Sequence, residues 1–519
     1  MSSFLLLSIV FIYFLVLLGV AWYTSKNSTN DSFFIGNKNS NWVLVAFGMI
    51  GTSLSGVTFV SVPGTVTGAG FGYFQVVIGY LFGYLVIGFL LLPLYYKLEV
   101  TSIYKYLQQR FGMNSYKSGA LFFIISRTLG ATARLFLVIN VLHLFILQPL
   151  GVPFVVTTFV ILLMILLYTF EGGVKTIVFT DTLQTTFMIL GLLICIGYLV
   201  NNLGLGYGEV MSELKQANLT RIFNSDPNSP SHWLKHVLGG MFIAITMTGL
   251  DQEMMQKNIS VRTLKDSQKN MLTFSIILVI VNFLFLFMGG LLYLFAQQNN
   301  IQVHSDDLFP TIALNYMPSI TAIIFIIGLI SALFPSADGA LTALTSSFCI
   351  DMLGIQRQPG LTEADKRKTR QIVHLLFALV FLLLVMTFKW IDNKSIIDVI
   401  LKVAGFTYGP LLGLFAFGIL TQRKVNESWV IWVCILSPLL ILGIDFINNI
   451  EWYQRQLKFS DASVAGIKEL SQQVFGQFKI GYELLIYNGL ITFIGLWLIS
   501  KKGEIEAEAE IKAGQTTNH

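Results

Sequence analysis

Charge is what this sequence has least of. Of its 519 residues 33 are Lys or Arg and 28 are Asp or Glu, together 12%, against 54% hydrophobic residues and a mean hydropathy of +0.71. Soluble chains carry about a quarter charged residues, so a water-exposed surface of the usual kind is excluded and the chain reads as an integral membrane protein. Cysteine is scarce. Cys195, Cys349 and Cys434 all fall in apolar stretches, which leaves no disulfide framework and no thiolate metal site. The six histidines, at 143, 232, 236, 304, 374 and 519, show no H-E-x-x-H or comparable spacing. A membrane-embedded enzyme would therefore lack its catalytic constellation, and His143 and His374 read as packing or helix-end residues. No nucleotide-binding motif is present, which argues against ATP-driven pumping. The polar stretches 204–232 and 447–479 are too short for a soluble domain, and the tail after 500 is too short for a signalling module. No basic surface domain exists to hold nucleic acid, so the net charge of +5 calls for another explanation.

What is present is thirteen apolar runs, at 3–24, 40–62, 72–97, 118–146, 152–170, 176–203, 233–256, 270–297, 318–350, 372–390, 395–421, 427–446 and 480–500. Each meets the length of about 20 apolar residues that a bilayer crossing requires. The first is too long, and lacks an A-x-A-like site, for a cleaved signal. With the N-terminus outside, the loops 25–39, 98–117, 171–175, 257–269, 351–371 and 422–426 and the tail are cytoplasmic. They hold most of the basic residues, including the KRKTR run at 366–370, whereas 63–71, 147–151 and 298–317 hold none. The positive charge thus reports topology: a multi-pass protein of the plasma (inner) membrane with its C-terminus inside. The expected organisation is one transmembrane domain over 1–500 and a short cytoplasmic tail, 501–519.

Two spans are not plain. GMIGTSLSGVTFVSVPG, residues 48–64, carries four glycines, five hydroxyl residues and no charge. Gly48, Gly51 and Gly56 lower the cost of leaving helical geometry, and a backbone break inside a bilayer is tolerated only against protein or a water-filled cavity. Small-residue helix packing is the competing reading. TMTGLDQEMMQK at 246–257 repeats the signature. The two segments open two five-helix sets, 40–203 and 233–421, and five being odd, the second set is inverted relative to the first. Inverted repeats with interrupted helices at matching positions point to a secondary transporter with a midplane site; a channel accounts less well for them. Arg127, Arg134, Asp181, Asp338 and Lys402 are charges within the spans, and each needs a partner or a task. Arg127 and Arg134, seven apart, share one helix face.

The sequence here resembles the sodium:solute symporter family, which contains the sodium–glucose cotransporters and the bacterial sialic-acid symporters. The resemblance covers about residues 5–500. It rests on GTSLSGVTF at 51–59, EGGVKTIVFTDTLQ at 171–184, TGLDQEMMQK at 248–257 and SALFPSADGALTALTSSFCID at 331–351. It implies an all-α leucine-transporter-type 5+5 inverted repeat with one extra N-terminal and two extra C-terminal helices. The implied activity is sodium-coupled symport by alternating access. Na+ is the expected coupling ion, a small-molecule solute and the lipid bilayer the expected partners, and a monomer or weak oligomer the expected state. Carried onto this chain, the main sodium site uses the carbonyls of Gly51, Leu54 and Ala332 and the hydroxyl of Ser336. Unwound carbonyls suit a small hard cation, since they replace water without a buried countercharge.

Two departures stand out. Pro335 replaces one hydroxyl expected beside Ser336, so the site loses an oxygen or borrows another. Asp181 matches an acidic residue that lines a second sodium site in some relatives, but Asp338 and Gly339 stand where a hydroxyl pair should accompany it. Asp338 either strengthens that site or pairs with Lys402.

For the solute, the positions aligned with a sugar-binding glutamine and asparagine are Thr58 and Ala244, and Met247 replaces an aromatic inner gate. Loss of such groups leaves sugar hydroxyls unpaired and disfavours a free hexose. Ser53, Ser55, Thr58 and Gln75 remain near the break. Arg134, with Arg127 as rival, matches an arginine of the sialic-acid branch, and Lys402 falls in the same outer half of the membrane. Two cations there favour a small organic anion such as a sialic acid or another carboxylate. A neutral polar solute, an inorganic anion and, further off, a channel or uniporter are the alternatives.

Overall fold

The computed structural model describes residues 3–25, 40–98, 102–169, 174–303, 305–358, 360–391 and 395–502. The loop 26–39, the E-G-G of the 171–184 motif and the tail 503–519 lie outside the described residues. Each of the thirteen apolar runs is helical. α1 (Ser3–Ser25) precedes the first repeat, which begins with α2 (Trp42–Ser53) and α3 (Gly56–Ala69), the two halves of one broken span. α4 (Phe74–Val86, running on to Lys97), α5 (Met113–Leu142), α6 (Phe154–Thr169) and α7 (Val174–Leu203) complete it. The second repeat is α8 (Trp233–Ala244) with α9 (Gln252–Ile259), α10 (Leu264–Gln298), α11 (Ser319–Ser347), α12 (Glu363–Ile391), and α13 (Ile396–Thr407) with α14 (Gly409–Leu420). α15 (Glu427–Asn448) and α16 (Leu484–Leu498) follow. Large side chains such as Phe11, Leu379 and Leu436 are exposed on the outer helices, where lipid replaces water as the solvent.

The breaks follow from local chemistry. α2 starts at Asn41, whose side chain accepts from the Val43 N–H at 2.9 Å, and it ends where Leu54 (ψ 80°) and Ser55 (ψ 178°) leave the helical region. Among the described residues no backbone donor reaches the carbonyls of Gly51, Thr52, Ser53 and Leu54, and α3 begins without a side-chain cap. The second repeat mirrors this. Thr246–Gly249 form part of a π turn, Asp251 caps α9 by accepting from Met254 N–H at 3.1 Å, and the two halves meet at 65°. A third break, at Tyr408, bends α13 against α14 by 47°. It was not expected from the sequence. There Asn488 of α16 donates to the carbonyls of Gly405 and Phe406, at 2.9 and 2.7 Å, and is itself held by the Ser437 hydroxyl of α15. The polar stretches read as too short for a domain form surface helices instead: Tyr207–Gln216, Ile450–Leu457 and Asp461–Phe475.

Backbone contact fixes how the repeats meet. α8 crosses α4 so closely that a Cβ on Gly240 would lie 2.3 Å from the Val76 carbonyl oxygen, and one on Gly79 would lie 2.2 Å from that of Val237. α2 rests on α7, where Gly51 faces the Thr185 hydroxyl and that hydroxyl donates to the Phe47 carbonyl at 3.0 Å. α1 is fastened to α11 by a 2.6 Å bond between Tyr13 and Ser331 hydroxyls. Because backbone cannot yield as a side chain does, Gly240→Val should cost at least 1–3 kcal/mol, roughly, and lower the thermal midpoint of the purified protein. Gly68→Ala, which meets no atom within 4 Å, should leave it unchanged.

Candidate functional site

At the first break the helices border a cavity of about 90 Å³. Ser53, Ser55 and Thr58 line it from the break, Arg134 from α5, and Ala244 and Met247 from α8. Tyr73 also lines it, one of four aromatic residues, with Phe59, Phe71 and Phe74, that border the break in the sequence; Tyr80, Tyr84, Thr248 and Asn282 line it without having been anticipated. A second, larger space of about 920 Å³ shares Tyr73, Ile397 and Leu401 with the first, so these three side chains form the partition between them. It lies at the end of the bundle carrying residues 64–72, which the charge bias assigns to the outside. Of the aromatic residues bordering the break only Tyr73 reaches the cavity. Phe59 is packed among Phe285, Phe309 and Phe325, and Phe71 and Phe74 pack on Phe283.

The remaining expected solute contacts lie elsewhere. Gln75 lines the larger space, donating to the Gly72 carbonyl at 3.0 Å and accepting from the Asn224 N–H at 3.2 Å. Lys402 is there too, 2.8 Å from Asp445 and 4.0 Å above the Trp452 ring, so its charge is already matched. The alternative pairing of Lys402 with Asp338 is thereby overturned. The two arginines, which both line the cavity, differ in their neighbours. Arg127 binds Glu253 and lies 3.6 Å from Asp251, whereas Arg134, among the described residues, has no carboxylate within 4 Å. One face carries both, but only Arg134 presents a guanidinium without a protein counter-ion.

For the main cation position, α11, which carries Ala332 and Ser336, packs against α2 and α3. Ser336 is buried and donates to the Leu333 carbonyl at 2.9 Å. Pro335 has no N–H, so the Ser331 carbonyl four residues back loses its helical donor. An oxygen is thus released in the same turn from which a hydroxyl is missing.

The second position is already furnished with a cation. The Lys257 ammonium lies 2.8 Å from Asp181, 2.5 Å from the Thr52 hydroxyl and 3.2 Å from Glu253. Glu253 bridges to Arg127, so Asp181, Lys257, Glu253, Arg127 and Asp251 form one chain of alternating charge, all buried. Gly339 leaves the room for it, since a Cβ there would collide with Glu253. Asp338 accepts from the Gly339 N–H at 2.5 Å. Lys257 and Glu253 sit inside the 248–257 motif; Lys257 was read as the first residue of the cytoplasmic loop 257–269, and Glu253, within the run 233–256, was not singled out. Their four-residue spacing, one helical turn, was the available signal.

Comparison with known proteins agrees with this architecture. The model of the sodium:solute symporter family matches residues 33–436, and the chain belongs to that family. It is 23% identical to the sodium/sialic acid symporter SiaT of Proteus mirabilis, over 85% of this chain and 88% of that one. It is 22% identical to sodium/glucose cotransporter 1 of Mus musculus, over 84% and 70% of the two chains. A solved structure of a Na+-coupled sialic acid symporter, in a substrate-bound outward-open state, superposes with a TM-score of 0.78. That match is 19% identical and covers 96% of this chain and 99% of the other. The protein is accordingly a multi-pass, leucine-transporter-type membrane transporter.

One titratable group guards the partition. Asp306, in the loop between α10 and α11, accepts from the Ile396 N–H at 3.0 Å and so holds the start of α13, the helix that carries Ile397 and Leu401. Burial raises its carboxyl to about 7; the Ile396 N–H opposes this, and the charges of Asp398 and Asp307 add to it. The folded state then binds the extra proton between about 4 and 7, so stability falls as pH rises through that window. Asp306→Asn keeps an accepting oxygen without the charge. Its thermal midpoint should exceed that of the unmodified protein at pH 8, and the gap should close toward pH 5.

Proposed function

We propose that this protein imports a small carboxylate, of the sialic-acid kind, together with sodium by alternating access. The observation that carries the reading is the guanidinium of Arg134, free of any carboxylate among the described residues, in a cavity bordered by the break. An unpaired cation in a low-dielectric site is costly unless a ligand neutralises it. The N–H groups at the start of α3 add a half-helix N-terminus, which also favours negative charge. Arg134 takes the carboxylate through two parallel N–H bonds. Ser53, Ser55, Thr58 and Asn282 serve the solute's hydroxyl or amide groups. The sialic acid symporters among the relatives support the same class.

In this reading sodium enters at the break, held by the carbonyls of Gly51, Leu54 and Ala332 and the hydroxyl of Ser336, with the Ser331 carbonyl as the oxygen released by Pro335. Ion and solute then depend on one piece of unwound backbone, which is what couples them: each orders the carbonyls or N–H groups the other needs. Tyr73, Ile397 and Leu401 close over the pair.

The test is uptake into proteoliposomes under an imposed sodium gradient, comparing N-acetylneuraminate, simpler carboxylates, hexoses and amino acids. Sodium-driven accumulation of a carboxylate is expected; equilibration of every solute without sodium would leave a uniporter. Arg134→Gln should cut kcat/KM for the carboxylate by roughly 100-fold or more, the worth of two charge-assisted hydrogen bonds. An undiminished rate removes the anion assignment. Ser336→Ala should raise the sodium concentration for half-maximal uptake about tenfold, and unaltered sodium dependence rejects that ligand.

A further inference from the structure

We infer that the ammonium of Lys257 is the resident cation of the position where Asp181 was expected to bind a second sodium, so that the protein couples a single sodium ion to its solute. The inference rests on the symport reading above and specifies its stoichiometry. An ammonium has three donors, and Lys257 finds three acceptors: Asp181 Oδ2, the Thr52 hydroxyl and Glu253 Oε1. Its hydrogen-bonding capacity is saturated and its charge is shared by two carboxylates. It reaches α2, α7 and its own α9, so it bridges the broken half-helix and the helix on which that half-helix rests, the same elements a bound ion would tie together. The substitutions around it fit an internal cation. Gly339 offers no side-chain oxygen and admits Glu253, which supplies the third acceptor.

The second observation is an oxygen left over. Asp181 is fully buried, and its Oδ1, among the described residues, has no hydrogen-bond partner. Lys257 engages the other oxygen, Oδ2, so the ammonium already supplies this carboxylate with its counter-charge. Were the ammonium removed, both oxygens of Asp181, the Thr52 hydroxyl and Glu253 would remain as an oxygen set for a free monovalent cation.

Coupling follows from the stoichiometry. A monoanion moving with one sodium carries no net charge, so the membrane potential does no work on the pair. A tenfold sodium gradient then accumulates the solute only about tenfold, whatever the voltage.

The experiment counts 22Na+ bound at saturation to the purified full-length protein by scintillation proximity, for the unmodified chain, Lys257→Gln and the pair Asp181→Asn/Lys257→Gln. The unmodified chain should bind one ion, Lys257→Gln two, and the doubly substituted chain one again. No increment in Lys257→Gln, or two ions on the unmodified chain, overturns the inference. Zero ions on the unmodified chain sinks the symport reading itself, and an increment from zero to one in Lys257→Gln would then still support Lys257 as the resident cation. If Lys257→Gln cannot be purified, the doubly substituted chain decides: a count equal to the unmodified chain supports the inference, and one ion fewer overturns it because Asp181 would then have been holding that ion.

Discussion

Inside a bilayer a backbone carbonyl or N–H that leaves the helix must find another partner, and that constraint organises this protein. At Leu54–Ser55 the freed carbonyls and N–H groups are gathered around a cavity that a hydrophobic span has no use for. The surrounding helices exist to make the gap tolerable. α7 supports α2 through Thr185 and Gly51, and α11, whose Pro335 frees one carbonyl, packs on both halves of the broken span. The polarity is therefore confined to the centre, while α1 and the outer faces of α6, α12 and α15 meet lipid with apolar side chains.

Charge is organised by the same economy. Five buried ionised groups are strung in alternating sign from Asp181 to Asp251, and they tie α2, α5, α7 and α9 together on the side of the break opposite the larger space. A buried pair loses roughly 3–5 kcal/mol when one member is removed, because the other is left uncompensated. These helices are thus held as a group. Arg134, on the same helix face as Arg127, lies outside the string and has no carboxylate within 4 Å among the described residues. The difference between the two lies in neighbours contributed by another part of the chain, not in their own helix.

That difference also marks how far the sequence could be read. The apolar runs were legible as helices because a bilayer demands stretches that composition alone reveals, and both first-helix breaks were legible because glycine and hydroxyl residues clustered in an apolar run lower the cost of leaving the helix. The placement of Ser53, Ser55, Thr58 and Arg134 around one cavity followed from those breaks. Lys402 and Gln75 were misplaced for a geometric reason: counting residues gives a side chain's depth but not the direction it faces, and Lys402 faces Asp445 of an appended helix. Lys257 was overlooked because a lysine at the end of an apolar run reads as an interfacial anchor, whereas α9 turns 65° at the break and carries it inward. The bend at Tyr408 was hidden because its Gly-Pro signal lies within an uninterrupted apolar stretch.

Asn488 gives that last bend a wider meaning. Its amide spans the gap to Gly405 and Phe406, and its oxygen is fixed from Ser437, so two helices beyond the repeated core supply the donors that the core's final helix lacks. The inner stretch, α14, is pinned to this outer pair, while α13 is tied across to the loop bearing Asp306. The chain's last two crossings therefore brace the bend from outside the repeated core. They hold α13 as well as α14, through Lys402–Asp445 and through Asn488 on Gly405 and Phe406, so both halves of the bent span share one support.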